Sequence, residues 1–423
     1  METQSMLFEH ANAMPAPTWH HLRMNETEIE IPAGLAVEPR VTVNGAAALR
    51  AETDAFETAL ADAQAAWEKE HPAPTEAEVA ARAEFLAAEA DATYGGTAQS
   101  SYQANAEAIE ESRSLAVAFE TGIGEEASAF LRFAAGECIV VEAAAGQKVD
   151  AQVIVEAVEG AFSAAAIDVV AAPDSVVNLS IVVTGDAEHA AFTGTTLRVF
   201  AGVGAKVGVA RTQALVGSAV DLDDMGLFAD ERAAIDVAQT VLGAAQTFTG
   251  LATDLRGDSS RIDIATRYLG RDEQVHDFNY IVRHHGKKTE CDLQANGVLA
   301  GKSRKTLRGT IDLIRGAKGA QGSENETVLL VDDGVRNKTV PIILCNEDDV
   351  AGNHGATIGH VRDEQMFYLA SRGLSREAAE SMFVGALVEG AALDASDSAA
   401  REAVVRLGEA TIPGFAALFD EEA

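Results

Sequence analysis

Five side chains able to bind a metal or move a proton, Asp348, Asp349, Asn353, His354 and His360, fall within one short stretch of this chain. The enclosing segment, VPIILCNEDDVAGNHGATIGHVRDEQMFYLASRGL (340–374), reads as an apolar strand, then a polar turn, then a helix. His354 has small or polar neighbours, Asn353, Gly355 and Ala356. A neutral imidazole there can give one nitrogen to a metal while Asp348 or Asp349 fixes the other. The same histidine can equally do no more than shape a surface turn. One histidine and a few carboxylates do not close a metal cage, so a metal role requires ligands from another chain. Cys345 follows the apolar run 341–344 and reads first as a small buried core residue, second as a ligand.

Elsewhere the chemistry is thinner. Cys138 and Cys291 sit in similar strand contexts, and the three cysteines show no spacing for a disulfide framework or a self-contained zinc or cluster site. His284 and His285 are adjacent on a strand and point to opposite faces, which favours surface histidines over joint chelation; His276 is grouped with them. GVLAGKSR (297–304) is one residue short of a phosphate-cradling loop, and no helix is expected after Ser303 to hold a phosphate. A nucleotide, if one is used, must come with a partner.

The net charge of -34, from 32 basic and 66 acidic residues, argues against nucleic-acid binding, which needs a cationic face. Residues 281–318 run the other way, with nine Lys and Arg against Glu290, Asp292 and Asp312; a solvated sheet face explains them more simply than an acidic partner. No apolar run long enough to span a membrane and no secretory leader pattern is visible, so a reducing, cytoplasmic setting is expected.

The elements that must hold these residues fall into three regions. Residues 1–128 form an α-rich N-terminal region after an irregular arm and a short strand. A helix is expected over 52–70, with Phe56, Leu60, Ala63 and Trp67 on one face, and a second after the Thr75 and Glu78 capping box, ending at Gly95 and Gly96. A third, over 103–119, completes that region. Residues 129–361 change to short alternating runs rich in Val, Ile and Ala. There Gly208, Asp236, Asp263 and Asp292 align at steps of 28, 27 and 29 residues, each flanked by apolar neighbours such as Ile235 and Val237. Such a recurring step predicts the stacked coils of a β-solenoid, with a β-sandwich as the competing fold. Residues 362–423 return to helix: Asp363 as cap and Gly373 as stop, then Ser375 capping a stripe through Ala379, Met382, Phe383, Ala386 and Leu387, then a helix near 397–409.

NEDDVAGNHGATIGHVRDEQMFYLASRGLSREAA (346–379) and GKSRKTLRGTIDL (301–313) resemble the SufB/SufD family, scaffold subunits of the SUF iron–sulfur cluster assembly machinery. Together with the α, solenoid, α order, the resemblance extends over roughly residues 115–415. The His-Gly-Ala-Thr of 354–357 is the SufD form, and the place of the SufB functional cysteine falls near Glu326. The resemblance implies a right-handed parallel β-helix core flanked by helical regions. It implies a non-catalytic subunit that pairs with SufB and binds the ATPase SufC, through Met382, Phe383, Ala386, Leu387 and the loop about Arg372. No cofactor is held alone; transient iron or an iron–sulfur cluster would be handled at the SufB interface by His354, with Cys345 at a position that is often cysteine in SufB. The competing functions are a SufB-like subunit that holds the nascent cluster itself, or a β-helix acyltransferase or polysaccharide-active enzyme with His354 as general base.

Overall fold

The computed structural model describes residues 5–18, 23–50, 54–70, 119–412 and the isolated positions 75, 77, 80, 81 and 415. Of the expected helix after Thr75 only positions 77, 80 and 81 are described, all three helical, and of the one over 103–119 only Phe119, which is not helical. Before them come strands Met6–Ala11 (β1), Thr27–Ile31 (β2), Ala36–Val37 (β3), Val41–Gly45 (β4) and Ala47–Arg50 (β5), and helix Ala55–Glu70 (α1). Helix Glu125–Ala135 (α2) leads into the core.

Sixteen strands follow: Cys138–Ala143 (β6), Lys148–Glu156 (β7), Ala161–Ala171 (β8), Val176–Ala187 (β9), Phe192–Ala201 (β10), Lys206–Gly217 (β11), Val220–Ala229 (β12), Ala234–Val241 (β13), Gln246–Leu255 (β14), Arg261–Gly270 (β15), Val275–His284 (β16), Glu290–Leu299 (β17), Arg304–Leu313 (β18), Gln321–Leu330 (β19), Arg336–Cys345 (β20) and Ala351–His360 (β21). They alternate between two sheets, the even-numbered strands in one and the odd-numbered in the other, every neighbour parallel. The chain therefore winds as a two-strand-per-turn β-solenoid rather than a sandwich.

Register explains the repeat in the sequence. Gly208 pairs with Asp236, Asp236 with Asp263, and Asp263 with Asp292. Ile235 and Val237 are buried between the sheets, and Asp236 points out. Each such aliphatic side chain contributes ~1.5–3 kcal/mol by leaving water, and the stack repeats the gain from coil to coil. The corner entering the odd-numbered sheet also recurs: Asp174, Gly204, Arg232, Ser259 and Lys288 all have positive φ, two residues before their strands.

The first end of the solenoid is closed. β5 lies antiparallel on β6, and β4 antiparallel on β7. One outer face is covered by β1, β2 and α2, through Phe8, Ile29, Ile31 and Leu131 against Phe162, Phe192 and Phe248. The other is covered by helices Arg376–Leu393 (α4) and Ser398–Thr411 (α5), with Val384, Val388, Val404 and Leu407 packed on Val182, Ala214, Leu242 and Leu269; the preceding helix Asp363–Ser371 (α3) packs on α4. Ser375 caps α4 as expected, its side chain accepting from the Ala378 N–H at 3.1 Å. α3 begins at Asp363 itself, with Arg362 in the capping position, and stops at Gly373, φ 90°. No described helix is long and apolar enough to cross a membrane.

Candidate functional site at the open end of the solenoid

Among the described residues β20 pairs only with β18, and β21 only with β19, so none of them covers the last coil of the stack. Alternation puts Gly352, His354, Ala356 and Ile358 of β21 on the inward side, in register with Gly322, Glu324, Glu326 and Val328 of β19. The four on β19 are buried and the four on β21 are exposed. Thus His354 is not in a turn, as the glycine-rich sequence suggested. It stands at an inward position of the final strand and is exposed.

The expected crowd of ligands does not converge. The turn is confined to 346–350, where the Asp349 carbonyl accepts from the Gly319 N–H at 2.6 Å. Asn353 faces outward beside Ser323, and among the described residues His354 makes no hydrogen bond with Asp348 or Asp349. No three His, Cys, Asp or Glu side chains come together as a metal cage among the described residues. Cys345 also departs from its expected burial. It closes β20 on the inward side of the same open coil, exposed, and its thiol donates to the Glu347 carbonyl at 3.3 Å. Cys138 and Cys291 are buried as expected, and burial pushes their thiols up to about 11 and about 12.

Directly beneath the open coil the interior turns polar. Lys305 donates to Glu326 and, at 3.1 Å, to the Thr339 hydroxyl. Tyr268 donates its hydroxyl to Glu326 at 2.8 Å, and Thr339 donates as well. All this is enclosed: the side chains of Lys305 and Glu326 are 0 % and 1 % exposed. Burial lowers the Lys305 ammonium, and Glu326 opposes that shift. Glu324, one inward position before Glu326, is pushed up to about 7 by burial and by the neighbouring Glu326 charge. Deeper still, Arg211 bridges Asp221 at 2.8 Å and Asp223 at 3.1 Å, and a Gln239–Tyr280–Thr266 chain continues from Asp223.

These contacts correct the reading of the basic segment. Arg283, Lys305 and Arg308 are buried in ion pairs, Arg308 with Asp277 at 2.6 Å and with the Met24 carbonyl of the N-terminal arm. Lys287, Lys288, Lys302, Arg304, Arg315 and Lys318 are the solvated remainder. The histidines are likewise not at the surface. His276 and His284 point into the core, each lowered to about 4 by burial, and His285 turns outward to buried Asp254 at 3.5 Å. After Ser303 the chain enters β18 without a helix, as expected.

The C-terminal stripe divides. Phe383 and Leu387 are half-buried against the solenoid, whereas Met382 and Ala386 are exposed. α3 adds two exposed aromatic side chains, Phe367 at 76 % and Tyr368 at 56 %, the second under the Arg372 guanidinium at 5.4 Å. A cleft of about 350 Å³ lies between α3 and α4, lined by Gln365, Tyr368, Leu369 and Phe383. A larger groove, about 840 Å³, runs along the outer face of the odd-numbered sheet past Asp236, Asp263 and Asp292. Burial and then the flanking Asp236 and Asp292 raise the Asp263 carboxyl, so this row is mutually repelling, and it lies away from the open end.

The residues that sequence reasoning passed over are Glu324 and Lys305. Charged side chains at every second position of a strand whose other alternate positions are small or apolar were the available signal.

Comparison with known proteins agrees with this architecture. Residues 140–387 match the family described as SUF system FeS cluster assembly, SufBD core domain. The iron–sulfur cluster assembly protein SufD of Bacillus subtilis (strain 168) is 31% identical over 150 residues, 36% of this chain and 34% of that protein. The SufD of Escherichia coli (strain K12) is 28% identical over 144 residues, 34% of each chain. An iron–sulfur cluster assembly SufBD family protein of Mycobacterium tuberculosis (strain H37Rv) is 30% identical over 148 residues, 35% of this chain and 18% of that protein. The matched segments thus span about a third or less of these relatives.

Proposed function

Because the chain belongs to the SufBD family of iron–sulfur cluster assembly proteins and is most like SufD, we propose that it is a non-catalytic scaffold subunit of a cytoplasmic SUF complex. It pairs with a SufB-like paralogue through the open end of its solenoid and binds a SufC-like ATPase through α3 and α4. The observation that carries this reading is the unfinished last coil. Two ten-residue edge strands present backbone groups that no other described strand pairs, beside exposed inward side chains, an arrangement that single chains normally blunt or cover. A second solenoid laid on this end would continue both sheets and bury His354 at the seam. Transient iron or a nascent cluster would then meet the His354 imidazole on one side and the partner's thiolates on the other.

Co-expression with SufB-like and SufC-like paralogues, followed by size-exclusion chromatography, tests the pairing. The wild-type chain is expected to elute with both. Ala356→Arg places a charge on the exposed inward face of β21 and is expected to release the SufB-like partner while the chain itself stays folded. A wild-type chain that elutes alone contradicts the proposal. Phe367→Asp is expected to weaken the SufC-like ATPase at least tenfold, measured by calorimetry, since an exposed aromatic of this kind is a typical interface anchor. Wild-type affinity in that variant would move the docking surface elsewhere.

A second reading, a SufB-like subunit that holds the cluster itself, is favoured by one observation, the exposed Cys345 thiol at the same end. Anaerobic reconstitution of the isolated chain separates the two. A stable visible-absorbing cluster that disappears in Cys345→Ser supports the second reading, and no cluster in the wild type supports the first.

A further inference from the structure

One carboxylate at the open end lies under His354 with an oxygen that no described residue satisfies. Glu324 and His354 are register partners on adjacent parallel strands, both at inward positions. Glu324 is 3 % exposed, yet its Oε1 makes no hydrogen bond among the described residues. Leaving a buried acceptor unmet costs ~1–3 kcal/mol. Glu326, the next inward residue, shows the usual solution, with donors from Lys305, Tyr268 and Thr339. The space around Glu324 is also reserved. Gly309 faces it across the solenoid, and a Cβ there would stand 2.4 Å from Oε1. The next residue toward the open end in that column is Pro341, which offers no N–H.

We propose that Glu324 is the second protein ligand, with His354, of a cation site at the mouth of the solenoid that takes a divalent first-row transition ion of the Fe²⁺ or Co²⁺ type. This rests on the reading of the open end as the metal-handling seam and adds a ligand from within the coil. Paired strands lie about 4.8 Å apart, so the two side chains need lean toward each other by only about 1–1.5 Å to share one ion through metal–ligand bonds of about 2.1 Å. A carboxylate oxygen and an imidazole nitrogen suit such ions, and two ligands alone hold them weakly enough to release. The remaining positions are open to water or to the partner's groups.

The test is an anaerobic Co²⁺ titration of the untagged full-length chain, followed by the visible d–d bands, for wild type, Glu324→Gln, Glu324→Asp and His354→Ala. One saturable Co²⁺ is expected in the wild type, with affinity at least tenfold lower in Glu324→Gln and in His354→Ala, and partly retained in Glu324→Asp. Unchanged circular dichroism in each variant shows that the fold persists. Wild-type affinity in Glu324→Gln combined with loss in His354→Ala overturns the role of Glu324 and leaves the seam reading intact. Absence of saturable binding in the wild type overturns the site, and the seam is then decided by the co-elution experiment alone.

Discussion

Lys305→Met is expected to destabilise the folded chain by about 3–5 kcal/mol at neutral pH, the usual result of removing one partner from a buried ion pair. The substitution keeps most of the side-chain volume and removes only the ammonium. Glu326 would retain the Tyr268 and Thr339 hydroxyls but face Glu324 with no cation between them. The double variant Lys305→Met with Glu326→Gln replaces a charged pair by a neutral one of similar shape and is expected to recover most of the loss. Urea unfolding of the wild type and both variants at pH 7.5 measures this. A single variant within 1 kcal/mol of wild type would mean that Lys305 is not what holds Glu326 in the interior.

Glu324→Gln is expected to change how stability depends on pH. The folded-state carboxyl titrates at about 7 against an ordinary value of 4.5. Between those values the folded chain keeps a proton that the unfolded chain has lost, so stability falls as pH rises through this window and levels off above it. The full loss is about 3 kcal/mol at 1.36 kcal/mol per unit. Glutamine has no proton to lose. In metal-free buffer the variant should therefore gain about 3 kcal/mol relative to wild type between pH 4.5 and pH 8.5. The other buried acids are common to both proteins and cancel in the difference. Parallel stability curves across that range would place Glu324 in contact with solvent.

How far the fold could be read in advance depended on where each residue's partner lies. The outward row Gly208, Asp236, Asp263 and Asp292 declares the coil length because apolar neighbours repeat around it at nearly constant spacing. Ser375 and Gly373 mark helix ends through local backbone chemistry. Lys305 and Arg308 could not be placed this way: Glu326 lies 21 residues from Lys305, on the opposite sheet, and Asp277 lies 31 residues from Arg308, one coil back. A charge count over 281–318 therefore resembles a wet surface. His354 was misplaced for a related reason. AGNHGATIGH contains three glycines and a single large apolar residue, and among the described residues no further coil packs against its inward face. An unpartnered strand has the composition of a turn.

The proposed function rests on the same unfinished coil, and the cluster content of the assembled complex tests it most directly. The chain, as wild type or His354→Ala, is co-expressed and purified anaerobically with SufB-like and SufC-like paralogues, and iron and acid-labile sulfide are measured per complex. His354 is exposed in the isolated chain and makes no hydrogen bond among the described residues, so the variant should assemble and elute as wild type. Its cluster content is expected to fall at least tenfold. A His354→Ala complex with wild-type iron and sulfide would contradict the assignment of this end of the solenoid as the place where the cluster is made.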